Sequence, residues 1–145
     1  MRISSLTVLL TTSLLAPAAM AETHEVKMLT RSPTAGMVYD PDYLQIAPGD
    51  TVKFVAAQSG HNAATLPAIW PEGVPTFVGK IDQEIEQTFK VPGLYGIQCT
   101  PHLAMGMVML IQVGEPPAEA PALPASLPKR ALDRMNAALA RQAAP

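Results

Sequence analysis

Short apolar runs separated by turn residues set the rhythm of the chain: Glu25–Leu29, Tyr43–Ala47, Thr51–Ala56, Ile85–Val91, Leu94–Gln98 and Met107–Val113. Runs of this length at close intervals predict strands, so the fold class is all-β, a sandwich or barrel. Pro48-Gly49-Asp50 and Pro92-Gly93 supply the fixed φ and permissive glycine of tight turns, and each is expected to join two neighbouring strands. Within Ile85–Val91, Ile85, Phe89 and Val91 share one parity with Gln87, which predicts one buried face. Residues 57–81 lack a clean period and carry Pro67, Pro71 and Pro75, so a long loop with room for one helical turn is expected there.

Both ends of the chain depart from this rhythm. Met1-Arg2, a short apolar centre around Leu6–Leu15 and Ala19-Met20-Ala21 form a secretory signal peptide over residues 1–21, with cleavage expected after Ala21. The apolar centre is broken by Thr11, Thr12 and Ser13, too short for a membrane span, so the chain is expected to be exported rather than anchored. Residues 22–114 then form the sandwich domain. Residues 115–145 form an extension that opens as a linker with Pro116, Pro117, Pro121 and Pro124. Ser126 and Pro128 predict a helix start. Leu132, Met135 and Leu139 make its apolar stripe, and Lys129, Arg130, Arg134 and Arg141 are expected on the other side.

Composition narrows the function. The 145 residues are one domain's worth of chain, and a net charge of −2 gives no basic field for nucleic acid. The single cysteine rules out an internal disulfide, a four-cysteine zinc site and a C-x-x-C redox pair. In an exported protein such a thiol calls for a metal or a protected core position.

That cysteine lies in Cys99-Thr100-Pro101-His102-Leu103-Ala104-Met105-Gly106-Met107, a loop between two predicted strands, with His61 upstream in Ser59-Gly60-His61-Asn62. Two imidazoles, a thiolate and a thioether are the His₂Cys set of a trigonal copper site with a weak axial methionine. Imidazole suits copper(II) and sulfur suits copper(I), so the mixed set serves a one-electron carrier. Of Met105, Met107 and Met109, Met107 is chosen as ligand, because Met109 lies inside the next strand and Gly106 lets its neighbour turn back. His24, near the proposed cleavage site, is expected to be exposed.

These segments, with Ala47-Pro48-Gly49-Asp50-Thr51-Val52 and the helical C-terminal extension, make the chain resemble the blue-copper cupredoxins, and among them the pseudoazurin family. The resemblance implies an eight-stranded cupredoxin Greek-key β-sandwich with two C-terminal helices, and one copper ion held by His61, Cys99, His102 and Met107. It also implies a monomeric electron carrier in the periplasm, serving redox proteins such as copper nitrite reductase or a c-type cytochrome. Asn62 matches a residue that anchors the ligand loops and whose backbone N–H reaches the thiolate, and Met37 one that packs on the exposed histidine. One departure stands out. Residues 32–39, 57–66 and 99–107 contain no Lys or Arg, so apolar docking with weak salt dependence is expected in place of a basic rim.

Three other readings compete with electron shuttling without substrate turnover. Copper storage or delivery favours exposed thioether clusters, unlike a thiolate and two imidazoles on separate loops. A Cys/His hydrolase lacks an orienting acid nearby in sequence. Structural zinc would make poor use of a thioether.

Overall fold

The computed structural model describes residues 20–115 and 117–142. Eight strands are followed by one helix: β1 (Thr23–Arg31), β2 (Gly36–Asp40), β3 (Tyr43–Ile46), β4 (Thr51–Val55), β5 (Ala64–Thr65), β6 (Ile85–Thr88), β7 (Gly93–Gln98), β8 (Val108–Val113) and α1 (Lys129–Gln142). A six-residue 3₁₀ segment, Thr100–Met105, separates β7 from β8. The strands form two four-stranded sheets, ordered β2-β1-β4-β6 and β3-β8-β7-β5. β1 runs parallel to β4 and β3 parallel to β8, while the remaining pairs are antiparallel. The expected all-β Greek-key sandwich with a C-terminal helical extension is therefore what folds.

The two sheets enclose one core, which includes Val26, Met28, Tyr39, Phe54, Ile97, Met109 and Ile111. A second cluster lies on the outer face of β8, where Val108 and Leu110 pack against Ala131, Met135, Ala138 and Leu139 of α1. This explains why β8 reads as a continuous apolar run. All six of its residues are buried, one parity between the sheets and the other beneath the helix. The exception in sequence, Gln112, is satisfied by the Tyr43 hydroxyl at 2.9 Å and the Gly114 carbonyl at 3.1 Å.

Several expectations need correction. The turns at Pro48–Asp50 and Pro92–Gly93 reverse the chain, but each joins strands of different sheets: β3 to β4, and β6 to β7. A tight turn sets direction and does not choose a partner, and here β8 holds β3 while β1 and β6 take both edges of β4. β2 and the two-residue β5 went unpredicted because five and two residues are too short to establish a period. β6 ends at Thr88, so Val91 falls outside the predicted buried face and is 47% exposed. One helix follows the sandwich among the described residues, where two were implied, because Pro117, Pro121 and Pro124 deny the preceding segment a helix. Arg134 is half-buried on the edge of the packed face of α1 rather than on its solvent side. His24 is not free at the surface either; it sits 2.9 Å from Asp50. Of the signal-peptide residues, 1–19 lie outside the described residues.

Candidate metal centre

The Cys99–Met107 loop extends the β7–β8 hairpin. The ladder ends at Gln98 opposite Val108, and the next pair closes the loop through the Cys99 N–H donating to the Met107 carbonyl at 3.0 Å. Between them Pro101 lies in the first turn of the 3₁₀ segment, and His102 departs from helical geometry at φ −116°, ψ 15°. The His102 N–H donates to the Cys99 carbonyl at 3.1 Å, and the Met107 N–H to the His102 carbonyl at 3.1 Å. Gly106, at φ +83°, supplies the left-handed residue that ends the segment. The Cys-x2-His-x4-Met spacing is thus one closed turn with its three sulfur and imidazole side chains on a fixed backbone.

His61 arrives from a separate loop. Gly60 takes φ +94°, its N–H donates to Asp82 Oδ1 at 2.6 Å, and the Asp82 N–H donates to the His61 carbonyl at 2.8 Å. The outer ring nitrogen, Nε2, lies 2.9 Å from Thr30 Oγ1. With its proton there, His61 donates to Thr30 and leaves the Nδ1 lone pair free to bind.

Three donor atoms converge. His61 Nδ1 and His102 Nδ1 are 3.1 Å apart, and Cys99 Sγ lies 3.5 Å from His102 Nδ1 and 3.8 Å from His61 Nδ1. An ion about 2 Å from each nitrogen and about 2.3 Å from sulfur, in trigonal geometry, needs edges of about 3.5 to 3.8 Å. The triangle is close to that size, and its nitrogen and thiol donors are of the right kind for copper or zinc. His61, Cys99 and Met107 are fully buried, while His102 is half-buried and alone of the four reaches solvent. Met107 packs in the same core cluster as Cys99, whereas Met105 is 41% exposed and Met109 lies within β8.

Burial pushes the Cys99 thiol above its ordinary value, opposed by hydrogen bonds from the backbone N–H groups of Asn62 and His102. A thiol held protonated is a poor nucleophile, which counts against the hydrolase reading. Burial also lowers the His61 pKa, helped by the nearby His102, so its ring favours the neutral, lone-pair-bearing form. Asn62 does what its sequence match suggested. Its Nδ2 donates to the Gly79 carbonyl at 2.9 Å and to Thr100 Oγ1 at 3.1 Å, and its Oδ1 accepts from the Thr100 N–H at 2.8 Å. Met37 is half-buried against the core that includes Cys99 and Met107.

Sequence reasoning missed Thr30, Asp82 and Arg134, none of which lies near His61, Cys99, His102 or Met107 in the chain. It also expected a rim without cations. The fold brings Arg31, Arg130 and Arg134 to a cleft of about 690 Å³ that also touches Thr30, Met37 and Met105. All three arginines come from outside the segments surveyed, two of them carried in by α1.

Residues 26–114 match the copper-binding plastocyanin/azurin family. The chain is 44% identical over 128 residues to the pseudoazurin of Paracoccus pantotrophus, covering 88% of each. It is similar to the crystal structure of pseudoazurin from Hyphomicrobium denitrificans at TM-score 0.71 and 32% identity, covering 82% of this chain and 97% of that one. The pseudoazurin structure from Sinorhizobium gives TM-score 0.64 at 45% identity, over 66% and 76%.

Proposed function

The chain belongs to the copper-binding plastocyanin/azurin family and, within it, to the pseudoazurins, so it is a blue-copper electron carrier, and we propose that His61, Cys99, His102 and Met107 are its ligands. The observation that carries the assignment is the triangle of two imidazole nitrogens and one sulfur, with His61 and Cys99 buried and His102 half-buried. Copper, when bound, supplies a one-electron couple. The residues do the rest. Cys99, His61 and His102 would hold the metal, and Met107 would add a weak thioether donor that tunes the centre. Asn62 and Thr30 hold the donors in place before and after electron transfer, which keeps the rearrangement between oxidation states small. The half-buried His102 ring is the exit toward a partner, framed by exposed Pro101, Ala104 and Met105.

The periplasm is the proposed location, from the signal-peptide pattern of residues 1–21; no helix among the described residues is long and apolar enough to cross a membrane. Residues 22–114 are proposed as the working domain, with 115–145 as its extension. Proposed partners of the monomer are redox proteins such as copper nitrite reductase or a c-type cytochrome.

The test is Cys99→Ser. Intense thiolate-to-copper colour in the wild type, lost in the variant while the β-sheet circular dichroism persists, is the expected result; colour that survives removes Cys99 from the centre. Release of the metal on each reduction would instead favour copper delivery.

A further inference from the structure

The C-terminal helix makes a connection that packing alone does not require. Arg134 Nη1 donates to the Met37 carbonyl at 2.6 Å and to the Gly106 carbonyl at 2.8 Å, and its Nη2 donates to the Gly36 carbonyl at 2.9 Å. These carbonyls belong to two separate segments, the start of β2 and the end of the ligand loop. Met37 holds φ +51°, an uncommon conformation for a residue with a side chain, and Gly106 holds φ +83°. A Cβ on Gly106 would stand 3.0 Å from the Arg130 carbonyl oxygen, so the loop already rests on the backbone of α1.

We propose that Arg134 is a positioning residue for the metal centre, tying the ligand loop at Gly106 to β2 at Gly36 and Met37 and so fixing the peptide that leads into Met107. The proposal rests on the copper reading above. Rotation of the Gly106–Met107 peptide would be felt at His102 and Cys99, because the Met107 N–H donates to the His102 carbonyl and its carbonyl accepts from the Cys99 N–H. A planar guanidinium serves three carbonyls at once. A lysine ammonium on a flexible stem does not reproduce that fork, although it keeps the charge.

The experiment compares Arg134→Met, Arg134→Lys and Arg130→Met in the copper-loaded protein by visible spectrum and reduction potential, and in the metal-free protein by amide hydrogen exchange. Arg130→Met removes the same charge beside the same loop but none of the three carbonyl bonds. Both Arg134 variants are expected to change the charge-transfer band pattern and the potential, and to speed exchange at the Cys99 and Met107 amides by about tenfold. Arg130→Met is expected to leave the band pattern and both amides as in wild type. The proposal is overturned if Arg134→Lys matches wild type throughout, or if Arg130→Met reproduces the Arg134 changes, since either result reduces Arg134 to a charge. If Arg134→Met does not fold, Arg134→Lys decides alone. Failure of wild type to form the coloured copper centre would overturn the copper reading instead, and the exchange rates would still decide the clamp.

Discussion

β1 runs the length of the sandwich and ends in two different polar sites. Near its start, the buried Asp50 carboxylate accepts from the Glu22 N–H at 2.9 Å and the Ala47 N–H at 3.0 Å, and meets His24 Nε2 at 2.9 Å. Near its other end, Thr30 supports His61, and there the groups facing one another are two imidazole nitrogens and a sulfur, buried except for the half-buried His102. The Asp50 site is closed by hydrogen bonds, donor to acceptor. The His61 site instead turns two imidazole Nδ1 atoms and one sulfur toward a common point, donors of the kind that hold a metal ion. Burial of polar atoms is common to both, so burial alone does not mark function; the kind of donor atoms that converge does.

This contrast should be breakable at either end. Asn62→Ala is expected to have the largest effect on stability, because it leaves the Thr100 N–H and the Gly79 carbonyl without partners and unties the two ligand loops. A loss of about 2–4 kcal/mol in thermal or denaturant unfolding, with a weakened copper centre, is the expected result. Asp50→Asn should cost about 1–3 kcal/mol, since it places amide hydrogens opposite existing donors, yet leave the colour untouched. A colour change in Asp50→Asn would mean that the two ends are coupled.

The Asp50 end also has a pH signature. The Glu22 N–H and His24 hold its carboxyl below the usual carboxylate range. The stabilisation is therefore present above the ordinary carboxyl pKa and is lost as pH falls through the depressed folded value. Unfolding measured across acid pH should show this slope in wild type and less of it in Asp50→Asn. If proteolysis frees Glu22 as the first residue, its ammonium takes over the same contact, and the acid-side slope steepens relative to a chain extended by Ala21.

Smaller effects concern tuning and docking. Met107→Ala should keep the colour and shift the reduction potential, while Met105→Ala leaves the potential in place; the reverse pattern would make Met105 the axial residue. Electron transfer to an acidic partner should slow by about a few fold from low to physiological ionic strength, because Arg31 and Arg130 stand beside the exposed Met105. A rate independent of salt would restore the apolar docking that the loop sequences alone suggest.

The most legible part of the site was the part that is local in sequence. Cys99, His102 and Met107 fall within one turn closed by backbone hydrogen bonds, so their spacing encodes their proximity, and the flanking runs encode the strands that hold them. His61 was legible by donor type, as the histidine outside that loop set beside Asn62. Thr30, Asp82 and Arg134 act from distant segments through ordinary hydrogen bonds, and nothing in a lone Thr, Asp or Arg announces such a partner. Arg134 did leave a trace. It lies three residues after Ala131 and four before Ala138, both buried, which places it at the border of the packed face. The sheet assignment of strands joined by Pro48–Asp50 and Pro92–Gly93 was beyond reach for another reason, since turn chemistry carries no information about which edge is free.

The most direct test of the central claim is a copper(II) titration of the metal-free chain followed by visible absorption. The account predicts that intense thiolate charge-transfer absorption grows linearly and stops at one equivalent of copper per chain. Absorption that never develops while the protein remains folded, or a metal-free chain that takes up zinc and rejects copper, would contradict it.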